Sequence, residues 1–325
     1  MHKILLFLQR SGKMKPSQKT LKELKKNSTF LLMVLPGALW FIILKYIPMF
    51  GNVIAFKDFR ISRRGFIHSV ISSRWVGLEN FKFLFKTQDA YIITRNTILY
   101  NLVFIILGLI IPVTFAIALH EINNQFLRKI YQTGMMFPHF LSWIVVSYFV
   151  FGFLSVDKGL FNQLLSFLGR DPINWYFSPK HWPPILIFMN TWKGTGYGSV
   201  VYLASIVGID KTYYEAAMID GATKWQQIKS ITLPLLTPLM TILTVLAVGR
   251  IIYADFGLFY QVPKNSGALY SVTNVIDTYV FRGLMVMGDI GMSTAAGLYQ
   301  SFVGFILVVS SNLLVKKINP DHALF

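Results

Sequence analysis

The chain has 325 residues, is 54% hydrophobic and carries only 14% charged residues, with a mean hydropathy of +0.52. Soluble domains hold about 25% charged residues, so this balance excludes an ordinary soluble domain and predicts an all-α membrane protein. The net charge of +17 matches basic flanks kept in the cytoplasm rather than nucleic-acid binding, and the absence of cysteine excludes disulfides, CxxC redox sites and thiolate metal sites.

Residues 1–29 hold eight Lys or Arg and one acid, Glu23. The short apolar run in "MHKILLFLQR" is followed by basic residues instead of a small-residue cleavage site, so a cytoplasmic N-terminal segment is expected. Six spans follow, at about 30–50, 96–119, 135–154, 184–207, 234–256 and 294–315. Pro36 and Pro48 are expected to bend or end the first. The fourth is interrupted by "WKGTGYG" and is expected to be broken or loosely packed in its first half.

Six crossings put both termini in the cytoplasm, in agreement with Lys316 and Lys317 at the end of the last span. The cytoplasmic loops are then 120–133 and 208–233, and the external segments 51–95, 155–183 and 257–293. The first external segment holds Lys57, Arg60, Arg63, Arg64, Arg74, Lys82 and Lys86, more than the positive-inside bias predicts. Its Trp75, Phe81, Phe83 and Phe85 suggest pieces lying at the interface. The domain reading is a basic segment (1–29), a first span with a long external segment (30–95), a five-helix core (96–316) and a cytoplasmic tail (317–325).

The loop at 208–233 is polar between two apolar spans. Thr212 to Glu215 fits a capping box, Gly221 permits a tight reversal after Asp220, and Thr223 to Gln226 fits a second box. Trp225, Ile228 and Ile231 recur at three-residue spacing, and Leu233-Pro234 is expected to end this piece before the fifth span. The pattern reads as helix, glycine turn, helix, with Tyr214, Ala217 and Met218 presented on the first piece. It suits either a docking element or an interfacial filler.

"EAAMIDGATKWQQIKSITLP" resembles the EAA loop of permease subunits from ATP-driven, binding-protein-dependent ABC importers. Glu215, Ala216, Ala217, Gly221, Ile231, Leu233 and Pro234 meet that pattern, and Asp220, Ala222 and Pro238 match its carbohydrate-permease form. "LPGALWFIILKYIPMFGNVIAFKDF" and "WVGLENFKFLF" resemble the branch importing oligosaccharides and uronate-rich polysaccharide fragments. The resemblance runs from about Phe30 to Pro320.

It implies a type I ABC importer permease fold with six transmembrane helices in a bacterial cytoplasmic membrane. It implies that the loop is a coupling helix lodged in a cleft of an ATPase, with Tyr214, Glu215, Ala216, Ala217, Met218, Asp220, Gly221, Trp225 and Ile228 at or near the contact. Glu215 would meet a basic residue there. The implied partners are a second, non-identical permease, two ATPase subunits that bind ATP and Mg, and an extracytoplasmic solute-binding protein.

The chain has no GxxxxGK[ST] phosphate loop and no HExxH, and "GTGYG" at 194–198 lacks a strand-turn-helix setting. No cofactor, metal or catalytic residue is expected in this chain.

Polar residues inside spans tend to face a bundle interior or cavity. They are His139, Trp143, Asn190, Trp192, Lys193, Arg250, Tyr253, Asp255, Tyr299 and Gln300. Trp143 and Trp192 also fit interface belts, Lys193 also fits snorkelling, and Arg250 also fits pairing with Asp255. Lys193, Arg250 and the external positive charge favour an acidic sugar. The alternatives are a neutral-oligosaccharide permease, an ion-gradient-driven transporter relying on Asp255, and a membrane enzyme, for which no convincing carboxylate pair is present.

Overall fold

The computed structural model describes residues 27–320 and Ala323, so most of the basic segment at 1–29 and part of the tail lie outside the described residues. The chain divides into two compact units, 1–53 and 54–325. In the first unit, α1 (Ser28–Phe41) runs on through a π turn (Ile42–Tyr46) and Ile47–Met49, with every side chain from 27 to 50 exposed. Pro36 lies inside α1 without ending it.

The second unit opens with a small antiparallel pair, β1 (Lys57–Asp58) and β2 (Arg74–Trp75), around α2 (Phe66–Ser72). Phe56 stacks on Trp75, while Phe83 is buried among core side chains rather than laid on a surface. The long helices follow: α3 (Gln88–His120), α4 (Gln125–Phe140), α5 (Trp143–Leu154), α6 (Leu160–Phe167) and α7 (Trp182–Val207). The loop helices are α8 (Lys211–Ile219) and α9 (Lys224–Gln227). The rest are α10 (Leu233–Val248), α11 (Tyr270–Thr273), α12 (Ile276–Met287) and α13 (Ile290–Ile318).

Four described helices are long and apolar enough to cross a membrane: Ser28–Phe56, Asp89–His120, Lys224–Val248 and Ile290–Ile318. The bent pair α4 and α5 makes a fifth if it crosses as one. With 26 residues α7 has the length, but it carries Trp192, Lys193 and Thr195 at its middle and is not among them.

Three sequence expectations are corrected. The third span is not one helix: α4 and α5 meet at 98°, because Pro138 ends the ladder and Ser142 starts a new one by accepting from the Val145 N–H. The fourth span is not broken: α7 is continuous through its glycines. Two of them, Gly196 and Gly198, serve close packing instead. A Cβ on Gly196 would lie 1.9 Å from the Met135 carbonyl oxygen of α4, and one on Gly198 2.9 Å from Pro112 of α3.

The fifth span starts earlier and stops sooner than expected. The helix runs from Lys224 straight past Pro234 to Val248, and residues 249–255 are irregular. A π turn at Ile228–Thr232 accommodates the proline. Proline lacks an N–H and its ring meets the carbonyl four residues back, which a wider turn relieves. All three π turns among the described residues have this placement. Ile42–Tyr46, Ile228–Thr232 and Gly257–Gln261 end two residues before Pro48, Pro234 and Pro263.

Two packed regions fix the ends of the second unit. Trp182 and Leu186 of α7 are fully buried against Val146 and Val150 of α5 and against Leu258 and Val262. At the other end, Val113 and Ala116 of α3 bury against Ile206 of α7 and Leu236 of α10. The second region anchors the root of the 208–233 loop.

Candidate functional site

The loop at 208–233 is ordered by its own backbone chemistry. Asp210, not Thr212, caps α8: its carboxylate accepts from the Thr212 N–H at 3.0 Å. The expected Thr212–Glu215 box is therefore replaced by a cap two residues earlier, which satisfies the Thr212 amide. Hydrogen bonding to Thr212 holds the Asp210 carboxyl below the usual carboxylate range.

α8 ends where Gly221 takes φ +77°, with the Ala222 N–H on the Ala217 carbonyl and the Gly221 N–H on the Met218 carbonyl. This is the Schellman geometry that glycine favours. Thr223 then caps α9 in the expected box: its N–H donates to Gln226 Oε1 at 2.7 Å, and its hydroxyl accepts from the Gln226 N–H.

Tyr214 turns inward rather than out. Its hydroxyl lies 2.9 Å from Thr232 Oγ1 and its ring sits 6.2 Å from His120, while Lys224 pairs with Glu121 at 3.2 Å. These contacts tie the loop to the end of α3 and the root of α10. Ala217 and Ile228 are half-buried. The outward face is Glu215, Ala216, Met218, Asp220, Gly221 and Trp225, and Trp225 is 69% exposed. Ile219, at 86%, joins it. Sequence reasoning missed Ile219, although an isoleucine beside a polar elbow is the signal for an apolar knob.

A cavity of about 580 Å³ opens beside α3, α7 and α10. Asn190, Arg250, Tyr253 and Asp255 line it together with Asn101 and Thr244. One wall is the irregular segment 249–255. Non-helical backbone at membrane depth persists only where protein or a water-filled cavity satisfies its polar groups, and three side chains do so here. Asn101 donates to the carbonyls of Ile251 and Tyr253, both at 2.8 Å. Gln300 donates to the Ile252 carbonyl at 2.9 Å, and Asp277 accepts from the Ala254 N–H at 2.7 Å. Trp143 Nε1 donates to Asp255 Oδ2 at 2.7 Å.

Arg250 is exposed and makes no ion pair with Asp255; among the described residues no carboxylate lies within ion-pair distance of its guanidinium. Lys193 does not snorkel. Its ammonium donates to the carbonyls of Leu141 (2.6 Å) and His139 (2.8 Å), with Pro138 at 3.4 Å, and lies 5.4 Å from the Trp143 ring. His139 stacks on Tyr197 and Trp192 lies on another face of α7, both away from the cavity. Tyr299 packs edge-on to Phe85, and Gln300 is buried in its backbone role. Asn101 was missed, though a polar residue within the second span carries the same signal as those named. No group of three His, Asp or Glu that could hold a metal ion occurs among the described residues.

Known proteins resemble this chain over nearly its whole length. The polygalacturonan/rhamnogalacturonan transport system permease protein YteP of Bacillus subtilis is 33% identical over 290 residues, 89% of this chain and 88% of that one. The trehalose/maltose transport system permease protein MalF of Thermococcus litoralis is 28% identical, over 91% of this chain and 94% of its own. A crystal structure of a bacterial ABC transporter involved in the import of the acidic polysaccharide alginate contains a chain that superimposes with a TM-score of 0.83 at 31% identity. That match covers 93% of this chain and all of the other. The model of the binding-protein-dependent transport system inner membrane component matches residues 16–320. The chain therefore belongs to that family: it is an all-α, multi-pass, non-catalytic permease subunit of an ABC importer in a bacterial inner membrane.

Proposed function

We propose that this chain forms half of the pore of an ATP-driven importer of acidic, uronate-containing oligosaccharides. Counting α4 and α5 as one crossing, and α7 as another, gives six crossings with both termini in the cytoplasm. The partners are a second, non-identical permease, two ATPase subunits that hold ATP and Mg, and an extracytoplasmic solute-binding protein. The elbow around Gly221 docks in the ATPase through Glu215, Met218, Ile219 and Trp225.

The observation that carries the substrate reading is Arg250, an exposed guanidinium without a carboxylate partner on the wall of the 580 Å³ cavity. Asn190 and Tyr253 beside it supply an amide and an aromatic face for hydroxyls and a sugar ring. A fixed positive charge in a low-dielectric cleft concentrates anions. The likeness to proteins named for polygalacturonan and alginate transport supports the same class.

The test is uptake of trigalacturonate and of its neutral methyl ester by proteoliposomes holding the full transporter. Arg250→Gln lowers uptake of the acid about tenfold, equivalent to 1.4 kcal/mol, and leaves the ester within twofold. Equal loss of both would remove charge recognition from Arg250.

A further inference from the structure

A second cavity, of about 560 Å³, lies at the opposite end of the helices from the coupling loop. Asp89 and Ile92 from the first turns of α3 and Met292 from the first turn of α13 line it. Its central group is Arg282 of α12. The guanidinium donates to Asn265 Oδ1 at 3.0 Å and to Asn274 Oδ1, and its carbon lies 4.2 Å from the Tyr270 ring centre. Both hydrogen-bond partners are neutral amides. They fix the plane of the fork without cancelling its charge, and among the described residues no carboxylate lies within ion-pair distance of it.

Burial works against the charged form of Arg282, while Tyr270, Tyr260 and Asp89 favour it. Asp89 lines the cavity beyond ion-pair reach and leaves the fork open.

The backbone is strained to build this arrangement. Lys264 and Asn265 are consecutive non-glycine residues at φ +55° and +48°, and they are the only described non-glycine residues with positive φ. That region is sterically disfavoured for side chains with a Cβ and persists where surroundings over-determine it. Here Lys264 is held 3.9 Å from the Tyr148 ring centre, and the Tyr270 hydroxyl donates to Asn265 Oδ1 at 3.1 Å. The strained turn delivers the amide that orients Arg282. Tyr260 and Phe281, 5.2 Å apart at 73°, supply an aromatic wall of the same cavity. A planar fork bonds a carboxylate through two parallel N–H groups, and aromatic faces accept the apolar side of a ring.

We infer that this cavity is an entry site for an acidic sugar residue, with Arg282 taking the carboxylate and the wall of Tyr260 and Phe281 taking the ring. The inference rests on the acidic-oligosaccharide reading above. It adds a checkpoint upstream of Arg250, reached by cargo on the side away from the ATPase. A lipid phosphate presents related chemistry, but the aromatic wall favours a ring over a headgroup.

The test uses the complete transporter in phosphatidylcholine nanodiscs, with equilibrium binding of labelled trigalacturonate and of its methyl ester. The same preparations are assayed for uptake in proteoliposomes. Arg282→Gln is expected to weaken binding of the acid at least tenfold and to leave the ester within twofold. Arg282→Lys, which keeps the charge but not the fork, falls between and guards against a folding defect. Equal loss of both ligands, or loss of neither, overturns the site. Preferential retention of phosphatidylglycerol that disappears in Arg282→Gln, with sugar binding unchanged, assigns the fork to lipid phosphate and also overturns it. If the native transporter imports neither sugar while Arg282→Gln still loses acid binding selectively, the site stands and the acidic-import reading falls.

Discussion

The ammonium of Lys193 lies 2.6 Å from the carbonyl oxygen of Leu141, so the break between α4 and α5 is closed by a side chain from α7. The end of a helix leaves carbonyls without partners, and here one cation takes up those of His139 and Leu141 and shares that of Pro138 with the Leu141 N–H. Lys193→Met keeps the length of the side chain and removes the donors. Hydrogen bonds to charged groups contribute about 1.5–3 kcal/mol in total at such a site. The variant should lower the thermal midpoint of the purified transporter by several degrees, and Lys193→Arg should recover part of it. An unchanged midpoint would mean that water caps the break equally well.

Trp143 and Asp255 form the second tie across the same region. Trp143→Phe keeps an aromatic ring but removes the donor and part of the indole, and loss of the hydrogen bond costs about 1–3 kcal/mol. In a double-mutant cycle with Asp255→Asn the coupling should be about 0.5–3 kcal/mol. Additive losses in chemical denaturation would show that the bond contributes nothing beyond the two residues taken singly.

Gly196 and Gly194 make a matched pair on α7. A Cβ at 196 meets the Met135 backbone at 1.9 Å, whereas one at 194 meets nothing within 4 Å. Gly196→Ala is expected to push α4 from α7 and to cost more than about 3 kcal/mol, in the range of severe overpacking. Gly194→Ala should be neutral or add up to about 1 kcal/mol through helix propensity. Yield and midpoint of the two variants, side by side, give the answer.

Gly221→Val places a β-branched residue at φ +77°. The left-handed conformation costs an L-residue about 1–2 kcal/mol, enough to reset the elbow. Substrate-stimulated ATP hydrolysis should fall at least fivefold while binding of sugar to the permease is kept. Full hydrolysis in this variant would remove the elbow from the coupling path.

Asp210 carries the pH dependence. Its folded pKa is depressed by the bonds to Thr212, so the cap is present above the unfolded value of about 3.9. It is lost as pH falls through the lower folded value. Amide exchange at 211–214 should therefore accelerate under acid conditions, and Asp210→Ala should be fast throughout. Asp210→Asn, which caps without titrating, should flatten the pH profile.

The sequence carried the elbow well, because its information is local. Gly221 and the Thr223–Gln226 box depend on neighbours within a few residues. It misplaced what tertiary contacts decide. The glycines of "WKGTGYG" read as breakers, yet at Gly196 and Gly198 the lack of a Cβ answers to Met135 and Pro112, 61 and 86 residues away along the chain. Pro234 read as a stop, since nothing in the sequence announces a π turn. The irregular stretch 249–255 was invisible because its stability comes from Asn101, Asp277 and Gln300 in other elements.

The continuity of the helix past Pro234 has a mechanical meaning. From Lys224 to Val248 there are 25 residues, about 37 Å at the rise of an α-helix. One end carries Trp225 on the outward face of the coupling loop, and the other leads directly into Arg250 on the cavity wall. Had the proline ended the helix, a thrust on Trp225 would dissipate in a joint. With the widened turn it acts on a single lever, and under the coupling proposed above a shift of a few ångströms at the Trp225 end would reposition the guanidinium at the other.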